Sequence, residues 1–303
     1  MKVPVYCRLV QIRFFPFRMN KPGIAAVPTA VMKWFVRALF TAVFILPLRA
    51  DPAWKSELTS PTLGNHPLPV SSVINMRVSW EGMIESGNLR IEFAPPNATK
   101  ADSYVVRASA SSVGAAAALF PYQGNFWAEL NPTTLKPRLL ETVELDQKER
   151  VHTTVKYFAD RIETHEDSKR LKTGVTKPTD KTFRFGPVFD IFSAMLHIRS
   201  QKLDDGDLIA IVVCPFSTPY ILKVKVQAHE IHNGSKAIRL SLGMQKINRD
   251  TLELQAYKKL KKDATLWLSD DDDRIPIEFR AAVFIGDVRA TLVNPQNPAP
   301  PLK

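Results

Sequence analysis

The densest run of reactive groups in this 303-residue chain is "WLSDDDDRIPIEFR", Trp267–Arg280, where four aspartates, Asp270–Asp273, stand side by side. Carboxylates in that number suggest a hard-cation site, since calcium takes six to eight oxygen ligands. The spacing argues otherwise. A calcium loop places its acids at alternate positions around a glycine, and here they are adjacent with no glycine near. Neighbouring side chains of an extended segment point to opposite faces. Aspartate is also a natural turn residue. The run therefore reads as a solvated turn between Leu266-Trp267-Leu268 and Ile275-Pro276-Ile277, with Arg274 offsetting part of the repulsion.

The other constellations are weaker. "HEIHN", His229–Asn233, holds two histidines at a spacing of three, on a strand entering an Asn-Gly turn. A helical zinc motif spaces them by four with a glutamate between. On a regular strand His229 and His232 face opposite sides. "LDDGD", Leu203–Asp207, reads as a tight connection. No G-x-S-x-G elbow and no phosphate-cradling loop occurs, and the 12 glycines do not cluster. His197, flanked by Leu196 and Ile198, is expected at the surface or an interface. No catalytic residue, metal ligand or cofactor is assigned, and the chain is read as a non-enzyme.

The elements that would position these residues are mostly strands. Alternation recurs in "INMRVSW" (Ile74, Met76, Val78, Trp80), "NLRIEFA", "LLETVEL" (Leu139, Glu141, Val143 and Leu145 in register), "VHTTVKYF" and "YILKVKVQAHEI". "LIAIVVC" is continuously apolar, as a strand buried on both faces would be. Asn233-Gly234 predicts a tight hairpin turn, and Gly286-Asp287 either a second one or a kink. One helix stands out at Asp190–Ser200, with Asp190 as N-cap and Arg199 complementing the dipole in its last turn. Gly114–Phe120 reads as a second short helix. The fold class expected is mainly β: a large curled antiparallel sheet, open or barrel-like, with one or two short helices. On the helix, Phe192, Met195 and Leu196 are candidate ligand-binding residues that would plug a cleft as a lid. Asp190, Arg199, Asp271 and Arg274 form a candidate polar cluster, if the fold brings them together.

Composition bounds the setting. A net charge of +11 first suggests nucleic acid. Residues 1–50, however, hold eight basic residues and no acidic one. Setting those aside leaves 33 basic against 30 acidic residues, a net of +3, so no nucleic-acid partner is expected. From Met32 the chain has the layout of a secretory signal peptide: Lys33 and Arg37, then an apolar run Ala38–Leu48, then Leu48-Arg49-Ala50 as a candidate cleavage site. The run is short for a bilayer span, which needs about 20 residues. An uncleaved anchor is the alternative. Residues 1–31 are expected to be a non-native extension upstream of the signal at 32–50. Residues 51–70 read as a loosely ordered Pro-rich lead-in, 71–293 as a single β-rich domain and 294–303 as a disordered tail. Cys214 is the one cysteine after the leader, so it is expected to be a buried, inert thiol. The product expected is exported, periplasmic or extracellular, and soluble after cleavage.

Three segments together, "DIFSAMLHIRSQKLDDGD" (Asp190–Asp207), "WLSDDDDRIPIEFRA" (Trp267–Ala281) and "FIGDVRATL" (Phe284–Leu292), resemble domain of unknown function 3108, a family of exported bacterial proteins. The likeness spans roughly Ser71 to Val293. It implies an exported antiparallel β protein and carries no catalytic residues across. The family pattern has fewer acids before Arg274, so the four-aspartate run looks like a local elaboration. Two functions follow as expectations. One is a cell-envelope protein that binds or carries a hydrophobic ligand, such as a lipid or acyl chain. The other is an envelope scaffold that docks a protein partner.

Overall fold

The computed structural model describes residues 51–67, 72–94, 102–257, 260–283 and 286–293. The leader, the residues before it and the Pro-rich tail lie outside them. Among the described residues, fifteen strands form one antiparallel sheet. They are β1 (Ser72–Trp80), β2 (Ile84–Ala94), β3 (Tyr104–Ser112), β4 (Tyr122–Leu130), β5 (Pro137–Asp146), β6 (Glu149–Tyr157), β7 (Ile162–Arg170) and β8 (Thr176–Phe183), followed by β9 (Leu208–Val213), β10 (Tyr220–His232), β11 (Ser235–Ile247), β12 (Leu254–Ala256), β13 (Ala264–Ser269), β14 (Pro276–Val283) and β15 (Gly286–Leu292). Two α-helices accompany them, α1 (Gly114–Leu119) and α2 (Ile191–Ser200).

The strand order is β8-β7-β6-β5-β4-β3-β2-β1-β15-β14-β13-β11-β10-β9, with β12 paired to β11 alone. Two meanders are thus joined where the first and last strands of the domain pair, Met76 opposite Leu292 and Trp80 opposite Val288. The two ends of the sheet, β8 and β9, are consecutive in the chain and α2 connects them. Strand twist makes so wide a sheet curl rather than lie flat. Curling brings the ends together without strand pairing. Tyr157 of β6 donates its hydroxyl to the Cys214 carbonyl at 2.9 Å, and Lys181 of β8 reaches the Ser217 hydroxyl at 3.4 Å. The sheet stays open, as the alternating pattern led one to expect.

Local sequence explains most elements. Ile74, Met76 and Val78 of β1 are buried between exposed neighbours. All but the first residue of β9 are buried, on both faces. Asn233 and Gly234 have φ of 51° and 83°, the paired left-handed conformation of a tight hairpin turn. Val283 pairs with Gly286, so the second glycine signal also marks a hairpin.

The lead-in differs from its loosely ordered expectation. Trp54 sits in a 3-10 turn (Ala53–Glu57) and is buried, packs on Phe185 at 5.1 Å between centroids and donates its indole N–H to Leu252 O at 2.8 Å. Thr59 N bonds Ala210 O on the outer edge of β9. An indole can bury a large apolar area while satisfying its one donor, which outweighs the surrounding prolines. The segment shields part of an edge that would otherwise offer unpaired backbone groups. The opposite edge, β8, is guarded by Lys177 and Pro178.

Candidate functional site

Helix α2 is held at both ends. Asp190 Oδ1 accepts from Phe192 N at 2.6 Å and Ser193 N at 3.1 Å, while the Ser193 hydroxyl accepts from Asp190 N at 3.0 Å. This is a reciprocal capping box with serine at the third position. Burial raises the Asp190 carboxyl against those hydrogen bonds. At the other end, Arg274 donates to Arg199 O at 2.7 Å, to Lys202 O at 2.8 Å and to Gln201 O. One guanidinium thus serves one open carbonyl of the last helical turn, Arg199 O, and the two carbonyls that follow the helix. Arg274 is buried with a backbone φ of 43°, and it still feels the charge of Asp270, in line with the screening expected of it.

The four aspartates form the turn that holds it there. Asp271 Oδ1 accepts from Ser269 Oγ at 2.6 Å, Arg274 N at 3.0 Å and Asp273 N at 3.1 Å. All four are exposed, as a solvated turn requires. Asp271→Ala is expected to cost about 1 kcal/mol, as the loss of a helix cap does. Urea unfolding checks this, and an unchanged midpoint would show that the turn holds its shape without the carboxylate.

The predicted polar cluster assembles in part. Arg199, Asp271 and Arg274 meet where α2 ends against the β13–β14 turn. Arg199 Nη2 donates to Asp273 O at 2.5 Å, and its guanidinium lies 5.6 Å from the Phe93 ring centre. Asp190 stands at the far end of α2, about 13 Å away at 1.5 Å per residue. Arg199 does not complement the helix dipole from solvent. It is 1% exposed, and burial brings it down to about 10. The cluster joins arginines to backbone carbonyls, which holds structure.

The predicted ligand-binding residues lie in packed surroundings. Phe192 and Leu196 are buried in the main core and Met195 is partly buried beside it. Hydrogen bonds hold α2 at both ends while Phe192 and Leu196 pack into the core. His197 is not at the surface: it is 1% exposed, 4.9 Å from the Phe189 ring, and burial pulls it down to about 4. His229 pairs with Asp205 at 2.8 Å, while His232 meets Glu278 at 2.8 Å and stacks on Trp267 at 4.2 Å. Among the described residues, no three His, Cys, Asp or Glu are grouped to hold a metal ion. None of their helices is long and apolar enough to cross a membrane.

The concave wall opposite α2 departs most from the sequence pattern. On β5 the buried residues after Pro137 are Leu140, Thr142 and Glu144, whereas Leu139, Val143 and Leu145 are only half-buried. The strand turns its polar face inward. Thr142 pairs with Phe126 on β4 and Thr153 on β6, and both threonines are buried. The Thr142 and Thr164 hydroxyls are buried without a hydrogen-bond partner. Tyr122 donates to Glu144 at 2.9 Å.

From this wall Phe126 meets two rings, lying 6.5 Å from Phe192 and 6.2 Å from Phe216. Arg249 enters the same interior from the turn between β11 and β12. Its two terminal nitrogens are buried and unpartnered. Burial pushes the Cys214 thiol up to about 12, and Arg249 and Lys181 are both near enough to pull the other way. Period alone did not find these residues, because it predicts that the apolar face of β5 is the inner one. Arg249 sits in a polar turn, "NRDTLE", whose sequence carries no signal of an inward side chain.

A likeness to known proteins extends over most of the domain. The family described as "Protein of unknown function (DUF3108)" matches residues 75–293. The crystal structure of a beta-barrel-like protein of domain of unknown function DUF1849 from Brucella abortus superposes with a TM-score of 0.44 at 9% identity, covering 74% of this chain and 96% of that one. No curated protein matches. The family match spans well over half of the sequence, and the chain belongs to the DUF3108 family of proteins of unknown function.

Proposed function

We infer that this is an exported cell-envelope protein that binds or carries a hydrophobic ligand, such as a lipid or acyl chain, inside the curl of its sheet. One observation carries the reading: the inner wall across β4–β7 buries hydroxyl groups whose hydrogen bonds are unmet. Natural cores satisfy nearly all buried polar atoms. Here the Thr142 and Thr164 hydroxyls have no partner, and the aromatic group of Phe126, Phe192 and Phe216 stands nearby. A mostly apolar lining with a few convergent polar groups is the composition of a ligand site. Binding fits this interior better than catalysis. The buried Cys214 thiol is raised to about 12 and the Tyr157 phenol is raised by burial, so neither is an activated nucleophile.

Native mass spectrometry of the protein purified from its own cell envelope without detergent, followed by lipid extraction, tests this. An adduct of lipid or acyl-chain mass is expected. A bare protein mass after gentle handling would count against a carrier. The second reading, a scaffold docking an envelope protein, draws on the β1–β2 hairpin, where Trp80, Met83 and Ile84 are 41%, 81% and 48% exposed. Clustered exposed apolar side chains mark interaction surfaces. A bare mass would direct the search there.

A further inference from the structure

Arg249 poses an energetic problem. A guanidinium is charged at any physiological pH, and its N–H groups seek acceptors. Leaving a buried polar group unsatisfied is destabilising, and more so when it is charged. Both terminal nitrogens of Arg249 are in that state. Its placement is built rather than incidental. Asn248 Oδ1 accepts from Asp250 N at 2.9 Å and Thr251 N at 3.2 Å, which shapes the turn. Trp54 clamps the same turn through Leu252 O at 2.8 Å. A second cation, Lys181, reaches Ser217 at 3.4 Å across the seam where the sheet fails to close. Both cations lie near Cys214. Ser217 adjoins Phe216 in sequence, and the Phe216 ring contacts Phe126, which in turn contacts Phe192. Positive charge with an open hydrogen-bonding capacity thus lies near Cys214, two residues before Phe216 of this aromatic group.

We propose that Arg249 and Lys181 are the anion-recognising end of a ligand site at the β8–β9 seam, and that the ligand is an amphiphile with an anionic oxygen headgroup. Its carboxylate or phosphate oxygens accept from the Arg249 terminal nitrogens, and its apolar body lies against Phe126, Phe216 and Phe192. Arginine suits this task because its planar fork matches two oxygens at once. The assignment rests on the curl being a ligand site, and it narrows the class from hydrophobic to anionic amphiphilic.

The test measures equilibrium binding of laurate, dodecyl phosphate, 1-dodecanol and inorganic phosphate to the wild-type protein and to Arg249→Gln. The expected result is that laurate or dodecyl phosphate binds the wild type and is weakened about tenfold to hundredfold in Arg249→Gln, the loss of a charge-assisted hydrogen bond. 1-Dodecanol should change less than about twofold, because it carries no charge to lose. An anionic amphiphile that binds both proteins equally overturns the anion site and leaves the binding-protein reading standing. Inorganic phosphate binding as tightly as dodecyl phosphate overturns the amphiphile assignment in favour of a free anion. If none of the three apolar probes binds, both readings fall. Thermal unfolding confirms that the variant is folded. Should it not be, Lys181→Gln reads the same end of the site, and unchanged affinity for the anionic amphiphiles there overturns the proposal.

Discussion

Arg274→Ala is expected to lower stability by about 3–5 kcal/mol, because one buried guanidinium serves three carbonyls and each hydrogen bond to a charged group contributes about 1.5–3 kcal/mol, with less than full additivity. The carbonyls belong to Arg199, Gln201 and Lys202. Alanine would leave them unpaired beneath the β13–β14 turn. It would also loosen α2, whose Phe192 and Leu196 fill the core between the two ends of the sheet. Arg274→Lys should recover little, since a single ammonium has neither the reach nor the fork to meet three acceptors. Urea unfolding near neutral pH measures the effect. A loss under about 1 kcal/mol would place the bond among the weak surface contacts and show that water replaces the arginine.

The second large effect is acid sensitivity from His197. Burial holds its folded pKa at about 4, below its ordinary 6.5. Between those values an unfolded chain takes up a proton that the folded protein refuses, so stability falls as pH drops from 6.5 through 4. A shift of that size corresponds to about 3 kcal/mol when fully expressed. Two groups act in the opposite direction. Asp190 is raised by burial, and a raised acid favours the folded state as pH falls. His165 is raised by its hydrogen bonds to Asp180 and Asp167, but it is exposed and contributes little. Glu278, which its bonds from Arg280 and His232 lower despite its burial, loses its contribution only below 4.5. Comparison with His197→Leu cancels all three. Between pH 7 and pH 4.5 the wild type is expected to lose about 2–3 kcal/mol more than the variant. Equal losses would mean that His197 gains a proton in the folded state without penalty.

Several features were legible because their causes are local. Alternation along β1 and the continuous apolar run of β9 set strands with one and two buried faces. Asp190 began the helix because a short carboxylate can reach the free amides of a first turn. Asn233-Gly234 turned because those residues tolerate positive φ. Asp270–Asp273 made a turn because an aspartate carboxylate can accept from backbone amides two and three residues on, as Asp271 does. The same locality explains why three quoted segments sufficed to indicate the family.

Tertiary structure decided what depended on distant partners. Arg274 finds its acceptors more than 70 residues earlier, and nothing adjacent to it announces that. His197 and Arg199 are buried because a sheet curls over the helix, whereas their own neighbours are those of an ordinary amphipathic helix. Trp54 drew a proline-rich lead-in onto the edge of β9 by burying one large side chain. Strand β5 shows the limit best. Its alternation specified two faces but not which one turns inward, and the curl chose the face with Thr142 and Glu144. Lys181 on the edge strand β8 and Arg249 in the turn after β11 come near Cys214 only through the fold. The sequence by itself determined a β-rich family member with a capped helix and well-marked turns, since periodicity, caps and turns act within a few residues. Where charge would be buried was decided by the closing of the curl, since that rests on contacts between residues far apart in the chain.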